Sequence, residues 1–289
     1  MSLERNLFID TRLSPAHTAF AIFAIVVFVA PVDAYIARHW QWAAASGFPV
    51  GATVKLAVLA AMLLTVPTLR AACRDLLRVW VPKDKTVETA LVLVLYLIAA
   101  FGSLGALALW TWSLGGEPAL ARHVGEQVKS AHQWSIAMSP GGIFGVLILG
   151  AVVAPIVEEI VFRGMLYPVL ARQWGWLAGA LGTSVACAAV HPGALVQFAG
   201  SLLLICLLRR TGSLRACIAV HASFNFLMWH PLLGQFLFPG PGRETGELSY
   251  WAMQLACLAI AFFAIPIYAW IAGGSADAHL SMESELQHS

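Results

Sequence analysis

Ala154–Pro168 reads APIVEEIVFRGMLYP, with two adjacent carboxylates, Glu158 and Glu159, and an arginine, Arg163, four residues after the second. The run before them, Gly142 to Val157, carries no charge at all. Only 11% of the chain is charged, and ionisable side chains set into apolar surroundings mark a functional-site candidate rather than a solvated face. On a helix Glu159 and Arg163 stand at i and i+4 on one face and can pair. Glu158 lies about 100° round the helix and is left without that local partner. The paired carboxylate is read as holding the backbone, the other as doing chemistry.

Hydrophobic residues make up 60% of the 289, and the mean hydropathy is +0.78. A soluble domain is about 45–50% apolar with about a quarter of its residues charged. The composition therefore predicts an all-α integral membrane protein, a polytopic helical bundle. A spanning helix takes about 20 predominantly apolar residues. The candidates are Thr18–Ile36, Gly51–Leu69, Thr89–Trp112, Gly142–Val157 continuing towards Leu170, Gly175–Val190, Leu195–Leu208, Leu214–Trp229 and Tyr250–Ile271, about eight segments in all. Only His191-Pro192-Gly193 separates the fifth from the sixth, which also allows a tight re-entrant hairpin there. Tryptophans such as Trp80, Trp110, Trp112 and Trp174 fall at segment ends, as an interfacial belt places them.

Arg70, Arg74, Arg78, Lys83 and Lys85 follow the second segment, and Arg5, Arg12, Arg172, Arg209, Arg210 and Arg215 fall on the same side. The opposite side keeps Arg38, Arg122, Lys129 and Arg243, so the positive-inside rule places both termini in the cytoplasm. The expected organisation is an N-terminal three-helix region with its outer loop (1–141), catalytic helices (142–233), and a second outer loop, last helix and flexible tail (234–289). Gly116–Gly141 is expected to be a solvated loop because its apolar spacing is poor, with a surface amphipathic helix as the alternative, and the tail from Gly273 is expected to be disordered. Glu4 and Asp10 ahead of the first apolar run argue against a cleaved signal peptide. A net charge of +2 gives no reason to expect nucleic-acid binding. Five cysteines without a CxxC pair suggest neither a disulfide framework nor a thiolate zinc site.

Three more polar residues stand in apolar surroundings. His191 ends the fifth segment, while His221 and Asn225 lie four apart in HASFN and so share one helix face. Asn225 is one of only two asparagines in the chain. Imidazole donates, accepts or takes a proton near neutral pH, and the amide offers both a donor and an acceptor. A carboxylate, two imidazoles and an amide meeting in a cavity could activate water and stabilise an oxyanion. The serines and threonines lack the base and orienting acid that a serine nucleophile requires. HExxH and Gly-rich phosphate loops are absent.

EEIVFR (Glu158 to Arg163) followed by HASFN (His221 to Asn225) resembles the CPBP family of intramembrane proteases, the type II CAAX prenyl endopeptidases and bacteriocin-processing enzymes. The family pattern is EExxxR, FxxxH and HxxxN in successive membrane helices. The middle element departs here, with Cys187 in place of phenylalanine four residues before His191. The resemblance spans roughly 143–233. It implies an endopeptidase in which Glu158, helped by His191, draws a proton from water. His221 and Asn225 would hold the oxyanion, while Glu159 and Arg163 fix the helix and the cavity rim. The family is commonly labelled metalloprotease, and Glu158, His191 and His221 would make a three-ligand zinc set with an open fourth position. The same groups can also work without zinc or another divalent metal. The implied partners are a membrane-anchored peptide or protein, prenylated or not, and the bilayer, with a bacterial inner membrane as the expected setting.

A reading from another class keeps the same residues as an ion or proton relay in a transporter or a membrane-partner module. Against it, the polar groups cluster in segments four to seven instead of in matching halves of an inverted repeat. Depth raises one difficulty. Glu158 falls near the inner end of its expected segment and His191 near the outer end of the fifth, if that segment is straight. Pro155, close before Glu158, is expected to kink its helix.

Overall fold

The computed structural model describes residues 67–137, 147–191, 193–229 and 248–287, with the isolated positions 57, 60 and 64. The expected first segment, most of the second, and nearly all of the second outer loop lie outside the described residues. All described elements are helical, and no strand occurs among the described residues. They are α1 (Pro67–Arg78), α2 (Thr86–Ala137, entered through a 3₁₀ turn at Lys83–Lys85), α3 (residues 147–174), α4 (Trp176–Ala189), α5 (Ala194–Thr211), α6 (Leu214–Trp229) and α7 (Leu248–Gln287).

Lys83–Arg122, Ala194–Thr211 and Ala252–Gly274 are long and apolar enough to cross a membrane; Trp176–Ala189 and Leu214–Met228 are shorter apolar helices. Only 11% of the last span is buried within the protein, and Phe262, Phe263, Ile267 and Trp270 point outward from it. A continuous apolar face of this kind belongs against lipid. The protein is an integral membrane helical bundle.

Two expectations are corrected. The loop expected across Gly116–Gly141 is helical as far as Ala137, because α2 breaks at Gly115–Gly116 and then resumes. Gly116 takes φ 63°, the left-handed conformation that costs glycine least. Pro118 follows in the first turn of the new stretch, where its missing N–H does no harm, and Ala119, Leu120, Ala121 and Arg122 are strong helix formers. The flexible tail expected from Gly273 is also helical, with α7 running to Gln287. Alanine, leucine, methionine and glutamate in that stretch favour the helix.

α5 forms the centre, with Leu203, Leu204, Ile205 and Leu207 fully buried and α2, α4, α6 and α7 packed round it. Helices in lipid associate through close packing of small residues, and Gly200 on α5 is such a contact. A Cβ there would run into the ring of Tyr96 on α2. Tyr96 in turn stacks on Phe224 of α6, with centroids 3.7 Å apart. Gly200→Ala is expected to destabilise the bundle by about 1–3 kcal/mol through overpacking, read as a lower thermal midpoint in detergent.

One end of the bundle is clamped by Glu88. Its carboxylate accepts from Arg210 Nε (2.6 Å) and Nη2 (3.1 Å) on α5 and from Tyr268 on α7 (3.0 Å). Arg209 stacks on Trp176 at 4.5 Å and donates to the Ala272 carbonyl. These arginines fix α2, α4, α5 and α7 to one another at the same end.

Candidate active site

The helix that carries the carboxylates is shaped by two prolines. Proline has no N–H, and its ring collides with the carbonyl four residues earlier. Here α3 widens into π-helix at Leu149–Val153, just before Pro155, and again at Ile160–Leu166, just before Pro168. Ordinary α-helix between them, Ala154–Glu159, presents the two glutamates. Single π stretches are frequent at functional sites. The kink expected at Pro155 takes this form.

The widening leaves one carbonyl to be satisfied. In an i to i+5 pattern the Gly150 carbonyl looks to residue 155, which is proline and has nothing to donate. Asn225 supplies the bond from α6, its Nδ2 donating to Gly150 O at 3.0 Å.

α3 also removes the difficulty over depth. It continues to Trp174, so Glu158 lies roughly 24 Å before its end at about 1.5 Å per residue. His191 lies roughly 22 Å beyond the start of α4 on the same count. The two helices are antiparallel neighbours joined at Gly175, so the two residues stand at matching levels. The placement of Glu158 near the inner end of its helix is thereby corrected.

Glu159 and Arg163 pair through Oε1 and Nη1 at 2.9 Å, both almost completely buried. The same Oε1 lies 2.8 Å from His221 Nδ1. A carboxylate facing a guanidinium can only accept, so His221 Nδ1 is the donor. His191 is held in a parallel way, its Nδ1 donating to the Cys187 carbonyl at 2.8 Å. Each ring thus turns Nε2 inward, towards Glu158. His191 Nε2 is 3.2 Å from Glu158 Oε1, and His221 Nε2 is 3.9 Å from Oε2. The first contact is close enough for an ion pair but is not aligned as a hydrogen bond. Glu158 therefore stands between two imidazoles brought by separate helices, in a setting that excludes most solvent.

Asn225 is on the same helix as His221, and its amide is bonded to Gly150. Aromatic rings wall the cluster: Tyr96 is 6.5 Å from the His221 ring and Phe162 is 6.4 Å from that of His191, centroid to centroid. Cys187, which replaces the phenylalanine of the family pattern, packs its side chain with Phe162 and Leu166 and supplies the carbonyl for His191.

The zinc set expected from Glu158, His191 and His221 does not fit this geometry. The carboxylate lies between the rings with a different oxygen towards each. Among the described residues no three His, Cys, Asp or Glu side chains converge on a point where a metal ion could be held.

Two features were missed in the sequence. The contact of Glu159 with His221 joins residues 62 apart, which no local spacing reveals. The bond from Asn225 to Gly150 was foreshadowed only by Pro155, whose missing N–H guarantees an unsatisfied carbonyl nearby.

Residues 140–227 match the family described as type II CAAX prenyl endopeptidase Rce1-like. No curated protein and no solved structure gives a significant match to the chain. The matched stretch contains Glu158, Glu159, Arg163, His191, His221 and Asn225. The match over residues 140–227 supports membership of this family of type II CAAX prenyl endopeptidases, whose members are peptide hydrolases.

Proposed function

We propose that the protein is an intramembrane endopeptidase that hydrolyses a peptide bond in a membrane-anchored peptide or protein. The observation that carries this reading is the Glu158 carboxylate set between the inward-facing Nε2 atoms of His191 and His221. Glu158, assisted by His191, takes a proton from water, and the water oxygen adds to the scissile carbonyl carbon. Charge gathers on the carbonyl oxygen. His221 meets it through Nε2 when both ring nitrogens carry protons, and Asn225 meets it through the second N–H of an amide that spends its first on Gly150. The C–N bond then breaks, and the proton held at Glu158 passes to the leaving nitrogen, giving a carboxylic acid and an amine. Glu159 and Arg163 hold the helix that presents the base.

A prenylated tail fits the family description as a substrate. The proposed setting is a bacterial inner membrane, with about eight spanning segments and both termini cytoplasmic by the distribution of Lys and Arg. The relay reading is not favoured, because its residues fall within a stretch matching peptide hydrolases.

The test is purified protein in liposomes with membrane-anchored peptides, the new termini being read by mass spectrometry. Peptidomes of cells holding wild-type protein or Glu158→Gln would give the substrate. Finding no peptide bond cut in either experiment, together with ion flux through the liposomes, would point to the relay instead. Cleavage is expected to survive stringent chelation, with metal content measured on the same sample. Loss of activity that returns on adding zinc would reverse the metal-independent mechanism.

A further inference from the structure

We infer that Glu159 is a positioning residue for His221, fixing which of its ring nitrogens faces the reaction centre, and is not only the partner of Arg163. This deepens the proposed peptidase reading and rests on it for its catalytic consequence. The geometry itself is independent of any substrate.

A single oxygen, Glu159 Oε1, receives Arg163 Nη1 at 2.9 Å and His221 Nδ1 at 2.8 Å. The three groups come from two helices, α3 and α6, and all are buried. Arg163 is a permanent cation and cannot accept. It therefore keeps its partner an acceptor, and the proton between Glu159 and His221 belongs to Nδ1. With Nδ1 so committed, Nε2 is the only ring nitrogen that can serve the chemistry, and it points towards Glu158 Oε2 at 3.9 Å. A carboxylate that holds one imidazole nitrogen decides the role of the other, and replacing such a carboxylate by its amide can cost about 10⁴-fold in rate through the wrong tautomer.

His191 shows the alternative arrangement in the same site. Its Nδ1 is held by a backbone carbonyl, that of Cys187, which no side-chain exchange can convert into a donor. His221 has no such safeguard. In Glu159→Gln the amide can rotate to offer N–H to Nδ1, which would move the single ring proton to Nε2 and deny Nδ1 the proton that the doubly protonated, oxyanion-binding ring needs. The sensitivity to amide substitution should therefore lie at Glu159.

The experiment has two arms. The first records ¹⁵N spectra of histidine-labelled wild-type protein without substrate, the His221 signals being assigned by their loss in His221→Gln. A protonated Nδ1 is expected, and an unprotonated Nδ1 would overturn the inference whether or not any peptidase activity is found. The second compares Glu159→Gln with wild type in the cleavage assay, normalised to folded protein. A kcat lower by about 10²–10⁴-fold with KM changed less than about threefold is expected, with the His221 spectrum shifted towards the Nε2–H form. A folded Glu159→Gln with unchanged kcat, or with an unaltered His221 spectrum, would refute the positioning role. If Glu159→Gln does not fold, the wild-type spectrum alone decides.

Discussion

Glu158→Gln is expected to lower kcat/KM by at least about 10²–10⁴-fold, the usual worth of a placed general base, while leaving the protein folded. The substitution keeps the shape of the side chain and removes its capacity to take a proton. Among the described residues Glu158 is the carboxylate set between both imidazoles, which makes it the group placed to take the proton. Its own burial is near complete, and the amide fills the same volume as the carboxylate it replaces. The thermal midpoint should therefore stay within a few degrees of wild type. Cleavage at the wild-type rate by folded Glu158→Gln would end the assignment of the base.

Arg163→Ala is expected to act in the opposite way, on the fold first. Arg163 and Glu159 are 1% and 0% exposed. Breaking a buried pair by removing one partner costs about 3–5 kcal/mol, because the remaining charge stays in low dielectric without compensation. Against a total stability of the order of 5–15 kcal/mol, this should appear as a sharply lowered midpoint and poor recovery from the membrane. Arg163→Lys should rescue only part of it, since an ammonium cannot reproduce the planar donor fork. Arg163→Ala with a wild-type midpoint but no activity would show that the pair serves the chemistry and not the scaffold.

Much of this site could be read from residue spacing. The i, i+4 relation of Glu159 and Arg163 is local, and a buried charge in an apolar helix has few other solutions. The polar residues Glu158, His191 and His221 were conspicuous because so little around them is polar. Contacts across the bundle were not legible. The clamp of Glu88 on Arg210 and Tyr268 joins residues more than a hundred positions apart, and no local spacing marks it. Hydropathy also misjudged where helices end. It follows apolar residues, so it ends the segments at Trp112 and Ile271, although helix propensity carries the backbone on through alanine- and glutamate-bearing sequence.

The two widened turns of α3 have a consequence for how the family motif is inherited. Each winds a surplus residue into the ladder, so the stretches before and after it are out of phase with a uniform helix by about one position, or about 100°. Glu158 and Glu159 sit on a short regular piece between two such offsets. Deleting a single residue from either widened turn would rotate one half of the helix against the other, and every side chain beyond it would face a new neighbour.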